Sequence, residues 1–306
     1  MAVALVLTSL PTPPRLAGYE TSSTALTWTL HLLAEHPEIQ DRLRAELLAI
    51  SESEPEMDAL NGLPYLDAVV RESLRVNAPV SNSQPDLTRI DQPSSATDVW
   101  TTTASDLNFA AVREAAEDDV VPLSEPILGR DGREHKEITI GKGETVFIGI
   151  LNMNRAPEIW GADAAEFKCV PPLCCLRTLS VRAAWARLMH ATRSISSVPL
   201  TPPPLCVSLR RPERWIDGAL PETAAKGIEA PWAHLATFLA GPRGCIGWRF
   251  ALLEIKAFLF VLLRSLKFDN PTPALTYVHR TALVQRPLIK GREDEGYQMR
   301  LKLSKI

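Results

Sequence analysis

The chain has no excess of positive charge, no long apolar run at its start and no paired-cysteine spacing, and each absence removes a class of function. Lys and Arg number 33 against 36 Asp and Glu, for a net charge of −3, and the basic residues are spread along the chain. That balance gives no electrostatic footing for a nucleic acid. The opening "MAVALVLTSLPTPP" holds an apolar run of six residues with no charged flank before it. A bilayer requires ~20, so neither a membrane anchor nor a signal peptide is expected in this chain. Cysteine is scarce: the five are Cys169, Cys174, Cys175, Cys206 and Cys245. An odd number at irregular spacing is a poor disulfide framework and suits a reducing, intracellular setting. With no CxxC pair and no histidine in a ligand pattern, zinc is disfavoured. No G-x-G-x-x-G dinucleotide loop and no internal repeat are found.

What is present is a chain of 306 residues with 45% apolar content, enough for one large packed domain or two ordinary ones. Residues 16–35 read as a helix, with Ala25, Leu26, Leu30, Leu33 and Ala34 at helical spacing. Pro37 ends it, because proline disfavours helical geometry in the residue before it. A second helix is expected from Glu38 to near Ile50, with Ile39, Leu43 and Leu47 in step. "NGLPYLDAVVRESLRVNAPV", residues 61–80, opens as a turn and runs as an amphipathic helix to near Val76. Short β-rich runs between "GRDG" and "GKG" read as small hairpins. "NMNRAPEIWGADAAEF" reads as a short helix-turn segment. Residues 245–266 form a long helix on which Ile246, Phe250, Leu253, Ala257, Phe260 and Val261 share a face, and the tail from about 275 is β-like. Residues 83–110 and 168–210 hold no period and are rich in Ser, Thr and Pro.

The most specific stretch is "FLAGPRGCIGWRF", residues 238–250, which sets one thiol in a glycine-rich turn at the mouth of the last long helix. A helix N-terminus favours the thiolate, the metal-binding form of cysteine. Gly241, Gly244 and Gly247 remove side chains, so a flat, bulky ligand can approach the backbone. Arg243 supplies a fixed positive charge for a carboxylate, and Phe238 can pack against a planar group. Taken alone, a cysteine in this setting is usually a buried free cysteine at an ordinary helix start. The full pattern Phe-x-x-Gly-x-Arg-x-Cys-x-Gly, met at Phe238, Gly241, Arg243, Cys245 and Gly247, resembles the haem-thiolate loop of the cytochrome P450 superfamily, its fungal members in particular.

Three other motifs carry the same resemblance. "AGYET", Ala17 to Thr21, lies on the first helix, where the family sets an acid and then an alcohol over the distal face of the haem. The resemblance implies that Glu20 and Thr21 relay protons to dioxygen, with Gly18 leaving room. Without the resemblance they are a solvent-facing acid and a helix-tolerated threonine. "ESLR", Glu72 to Arg75, spaces an acid and a base i, i+3 on one helix face, ordinarily a surface pair worth a few tenths of a kcal/mol. In the family it joins an arginine from a later segment, here Arg214 of "RPERW", in a buried structural network. Arg113, upstream of "AAEDDVVP", matches a basic residue that holds a haem propionate.

The resemblance implies the C-terminal portion of the cytochrome P450 fold, mainly α with small β-sheets, over residues 16–306, with residues 1–15 unassigned. Residues 168–210 intervene where "NRAPEIWGADAAEFK" should run into "RPERW", and residues 83–110 where "RVNAPVSN" should run into "VREAAEDDVV". Loops of such length without structure are uncommon, and both are expected to be retained introns in a gene model, the alternative being real surface loops. The implied activity is haem-dependent insertion of one oxygen atom from O2 into a lipophilic organic substrate. Cys245 would be the axial iron ligand, Arg243 and Arg113 the propionate partners, and an NADPH-dependent reductase the electron source. Two other readings remain open: an inactive fragment unable to complete a haem pocket, and a non-haem interaction protein. Relatives are held on the endoplasmic reticulum by an anchor not expected here. The segments left to contact substrate are those near Ala17 and "YVHRTALVQRP".

Overall fold

Two prolines cut the first half of the chain into helices. The computed structural model describes residues 12–80, 112–129, 132–167, 212–216, 220–227, 230, 232–271, 273–281 and 284–306. Helix α1 spans Thr12–Glu35, starting earlier than the expected residue 16. Its first turn holds Pro13 and Pro14, which forfeit only N–H groups that have no intrahelical partner there. His36 and Pro37 end α1, and Pro37 opens α2, Pro37–Leu48, two residues shorter than expected. After a short α3, Met57–Asn61, comes α4, Pro64–Val76. The first turn of α4 has no cap of its own. The Glu46 carboxylate reaches across from α2 and accepts the N–H groups of Tyr65 and Leu66 at 2.8 and 2.7 Å. A negative charge at a helix N-terminus is stabilised by the free N–H groups there.

The expected insertions, residues 83–110 and 168–210, lie outside the described residues, with the four cysteines of the second. Between them run β1 (Val112–Glu114), β2 (Asp119–Leu128), β3 (Glu134–Ile140) and β4 (Thr145–Phe147). "GRDG" connects β2 to β3 in an antiparallel hairpin. "GKG" forms no second hairpin. It turns β3 into β4, whose partner is β1, and the Gly143 N–H returns to Ala115 O at 2.8 Å. The short helices α5 (Ile150–Asn154) and α6 (Pro157–Trp160) follow. Next come a 3-10 turn at Pro212–Trp215, α7 (Glu222–Gly227) and the long α8 (Trp248–Ser265). The tail adds β5 (Leu266–Asp269), the hairpin β6 (Tyr277–Thr281) and β7 (Gln285–Ile289), and β8 (Lys302–Lys305), which pairs with β5. The architecture is mainly α with small two-stranded antiparallel sheets. No helix among the described residues is long and apolar enough to cross a membrane.

One apolar cluster joins α1, α2, α4 and α8. The buried face of α8 differs from the expected one. Leu252, Ile255, Leu259, Phe260 and Leu263 point inward, while Phe250 and Val261 are exposed and Ile246, two residues before the helix, is fully exposed. Phe260 alone of the expected set is buried; Leu253 and Ala257 are half-buried against the cluster. The helix is apolar on most of its circumference, so two sets of positions offset by two residues both satisfy helical spacing. What separates them is Lys256: its ammonium lies 2.8 Å from Asp67 and 3.2 Å from Asn61, which turns that side toward α3 and α4. Leu259→Ala should therefore lower the unfolding free energy by about 2–5 kcal/mol, and Val261→Ala should change it by less than about 0.5 kcal/mol. Urea unfolding of both variants checks this assignment.

Candidate functional site

The cysteine loop is built from two 3-10 turns, Ala236–Phe238 and Gly241–Arg243. The Cys245 N–H closes it by donating to Phe238 O at 2.8 Å, and Gly244 N–H donates to Gly241 O at 3.0 Å. Gly241 has φ +71°, a conformation that favours glycine, and a Cβ on Gly244 would stand 3.2 Å from the Gly241 carbonyl oxygen, a tight contact. Leu239 has φ 54° although it carries a side chain, a strained conformation held by its burial. Cys245 comes two residues before Gly247, the N-cap of α8. The thiol is free and exposed. Exposed along the same stretch are Arg243 and the apolar Ile246 and Phe250. Phe238 is half-buried and sets its ring edge-on to Trp232, with centroids 5.4 Å apart. A single soft sulfur donor at a helix mouth, an adjacent guanidinium and uncovered apolar side chains fit haem, whose macrocycle is flat and apolar and whose propionates are anionic. Among the described residues no group of three His, Cys, Asp or Glu offers a rival metal site.

Behind this loop lies the buried network expected of "ESLR" and "RPERW". Glu72, Arg75 and Arg214 are each 0% exposed. Glu72 Oε1 receives Arg75 Nη2 at 2.9 Å and faces Arg214 Nε at 3.3 Å. Its Oε2 receives Arg75 Nε and the Trp215 indole N–H, both at 3.0 Å. Two guanidinium groups thus share one buried carboxylate, and Asp163, 3.8 Å from Arg214 Nη2, supplies a second negative charge at the rim. Burial pushes the Arg214 guanidinium below its ordinary range; Glu72 opposes that shift and Arg75 adds to it.

Arg75 also connects the network to the loop. Its Nη1 donates to Asn154 O at 2.8 Å and to Ala164 O. The Asn154 side chain then accepts the Ala236 N–H at 2.9 Å and donates to Thr237 Oγ1 at 2.8 Å. Thr237 Oγ1 donates back to Leu74 O on α4 at 3.0 Å. Asn154 and Thr237 were missed in the sequence. "GILNMN" carries two amides, Asn152 and Asn154, among apolar residues, and only Asn154 folds as a fully buried side chain.

The structure gathers Phe238, Gly241, Arg243, Cys245 and Gly247 in one loop and brings Glu72, Arg75 and Arg214 into contact. The other candidates stand elsewhere. Arg113 lies on β1 opposite Val146. Glu20 and Thr21 lie on α1, which packs against α8. Thr21 Oγ1 donates to Ala17 O at 2.7 Å, and Glu20 Oε2 accepts from Arg286 Nη2 on β7 at 3.0 Å. Arg286 is a partner that no local pattern announced. Trp28, two turns further along α1, donates its indole N–H to Gln285 O at 2.9 Å and stacks on His279 at 3.9 Å. His31 sets its ring against Tyr277 at 4.9 Å. The α1 segment bearing Glu20 and Thr21 is thus laced to the β6–β7 hairpin.

Comparison with known proteins agrees with these motifs. The family model for cytochrome P450 matches residues 15–88 and 211–288. Cytochrome P450 monooxygenase 205 of Postia placenta is 35% identical over 285 residues, covering 93% of this chain and 39% of the relative. Cytochrome P450 monooxygenase 91 of the same fungus is 37% identical over 276 residues, covering 89% and 37%. Cytochrome P450 monooxygenase claU of Ampulloclitocybe clavipes is 32% identical over 280 residues, covering 91% and 38%. The chain belongs to the cytochrome P450 family, and it spans about two fifths of the length of these relatives.

The seam between α1 and the hairpin is sensitive to acid. Burial holds the His31 imidazole below its ordinary range, against the raising influence of Glu35 and with a further lowering by His36. His279 is pushed down to about 4, by burial first, then Arg155, then His31. Both histidines take up protons more readily unfolded than folded. Their contribution is therefore complete above the ordinary range near 6.5 and declines as the pH falls from there, for His279 down to about 4. His279 is an exposed residue, so its share is reduced by solvent screening, while His31 is buried. The melting temperature should fall from pH 6.5 to 4, and His31→Gln should flatten that slope. An unchanged slope in the variant contradicts the assignment.

Proposed function

We propose that this chain is the C-terminal portion of a haem-dependent monooxygenase that inserts one oxygen atom from O2 into a lipophilic organic substrate, with electrons supplied by an NADPH-dependent reductase. The observation that carries the reading is the cysteine loop: an exposed thiol in a turn closed by its own N–H on Phe238 O at 2.8 Å, at the mouth of α8. When bound, haem supplies the oxidising chemistry.

The residues of this chain then have distinct tasks. Cys245 would give its sulfur to the iron. The N–H of Cys245 is engaged by Phe238 O, which fixes the backbone from which the sulfur projects. Arg243 and Arg113 pair with propionates through charge-assisted hydrogen bonds. Ile246 and Phe250, exposed here, exclude water from the covered face. On α1, Glu20 takes protons from solvent and Thr21 passes them on. Its hydroxyl already donates to Ala17 O, so its lone pairs remain to accept a proton from the acid.

A second reading is favoured by one observation. Ile246, Phe250, Phe258 and Val261 leave a broad apolar strip open along α8, and a chain of this span could carry the motifs without closing a haem pocket. The carbon-monoxide spectrum of the reduced, haem-supplemented protein separates the two. A strongly red-shifted haem band that Cys245→Ala abolishes supports the proposal. A haem band lacking that shift supports the second reading. A chain that takes up no haem, or a Cys245→Ala variant with an unaltered band, contradicts the proposal.

A further inference from the structure

Among the described residues, backbone strain is gathered in one place. The three that adopt positive φ without being glycine are Ala233 (56°), His234 (53°) and Leu239 (54°), and all fall within the seven positions that lead into the cysteine loop. Ala233 and His234 sit in a turn that Leu235 N–H closes on Trp232 O at 3.2 Å, and histidine tolerates such a φ better than most residues. Leu239 is the sharper outlier. Its φ of 54° and ψ of −172° border a region that essentially glycine alone occupies, and strain of this kind persists only where the surroundings over-determine it. Here those surroundings are a small apolar cluster. The Leu239 side chain is 8% exposed and lies in that cluster with Ala78, Ile150, Leu151 and Ala236. The peptide between Phe238 and Leu239 is engaged on both sides: Leu239 N–H donates to Ala236 O at 2.9 Å, and Phe238 O accepts the Cys245 N–H at 2.8 Å. The φ of Leu239 is the rotation between that planar peptide and the chain beyond it. It therefore sets which way Phe238 O faces relative to the residues that run on to Cys245.

We propose that Leu239 is a positioning residue for Cys245: buried with Ile150 and Leu151 of α5, its side chain levers the backbone into a conformation it would otherwise leave, and that conformation turns Phe238 O onto the Cys245 N–H and preforms the loop that receives haem. The inference rests on the monooxygenase reading above. A leucine released from the cluster would swing to negative φ, where its Cβ no longer crowds the backbone. The peptide between Phe238 and Leu239 would then turn over relative to residues 240–245, and the Cys245 N–H would lose its acceptor. Glycine in the same place has no Cβ and takes positive φ as readily as negative, so it needs no lever. This separates two roles. If Leu239 only fills space, the loop tolerates alanine better than glycine, because alanine keeps more of the side chain and allows less backbone freedom. If Leu239 is a lever, glycine is the better replacement.

The test sets Leu239→Ala, Leu239→Gly, Leu151→Ala and the double variant Leu151→Ala/Leu239→Gly beside the parent chain. Each is read twice: by hydrogen exchange at the Cys245 amide without haem, and by haem affinity together with the carbon-monoxide spectrum after reduction. Both Leu239 variants lose a buried side chain and should melt below the parent. Only Leu239→Ala keeps a Cβ at the strained position without the lever, so its Cys245 amide should exchange roughly ten-fold faster than in the parent. With the loop formed in about a tenth of the molecules, haem affinity should fall roughly ten-fold as well. Leu239→Gly should stay within about two- to three-fold of the parent in both readouts. Leu151→Ala loosens the cluster and leaves Leu239 in place, so it should follow Leu239→Ala, and the double variant should recover. Recovery through a second truncation is a result that packing alone does not produce. If Leu239→Ala fails to fold where Leu239→Gly folds, the same order is read as stability and supports the lever. If neither folds, Leu151→Ala decides: faster Cys245 exchange supports the lever and unchanged exchange overturns it. Alanine equal to or better than glycine in exchange and affinity, while the parent keeps its thiolate spectrum, overturns this proposal alone. Absence of the thiolate spectrum from the parent overturns the monooxygenase reading, and this proposal with it.

Discussion

The fold depends on one carboxylate sealed between two guanidinium groups. Glu72 accepts from Arg75 and the Trp215 indole and faces Arg214, and all three charged side chains are shut off from solvent. Charges taken out of water cost several kcal/mol each unless geometry returns it. Here the return comes from where the ends of these side chains go. Arg75 binds the carbonyl groups of Asn154 and Ala164, and Arg214 Nη1 donates to Trp160 O at 3.3 Å. The network thus ties α4 to α5 and α6 and to the 3-10 turn at Pro212–Trp215. Through Asn154 and Thr237 it also sets the start of the loop that bears Cys245. The start of the cysteine loop is thus held by buried polar contacts that would each be left unpaired if it moved.

Two parts of the fold then meet at α1. One is the cysteine loop with α8, and the other is the tail hairpin. The contacts of Trp28, His31 and Glu20 with residues 277–286 bring the end of the chain against the helix that carries the acid and the alcohol. The acid and alcohol of α1 and the cysteine of the loop thus stand on different elements, joined by the packing of α1 on α8. The apolar strip left open on α8 belongs to the same logic, since the side of that helix facing α1, α2 and α4 is filled while the other presents Phe250, Phe258 and Val261.

Local chemistry was legible where a residue's effect is local. Pro37 set a helix boundary to within a residue or two, because the ring acts on its own turn of backbone. The i, i+3 spacing of Glu72 and Arg75 placed both on one face, and the cysteine loop was visible as a string. What escaped was settled by tertiary packing. The face of α8 could not be read from a helix apolar nearly all round, and the choice fell to Lys256 seeking Asp67. Asn154 gave no periodic signal, since a buried amide is defined by the groups it satisfies. Arg286 finds Glu20 only once the hairpin has docked on Trp28.

The most direct measurement of whether that carboxylate governs the fold is urea unfolding of Glu72→Gln, an isosteric change that removes one charge and leaves two guanidinium groups buried together. The account predicts a loss of about 3–5 kcal/mol, the cost of stranding a buried charge. A loss below about 1 kcal/mol, the range of an exposed ion pair, would contradict it.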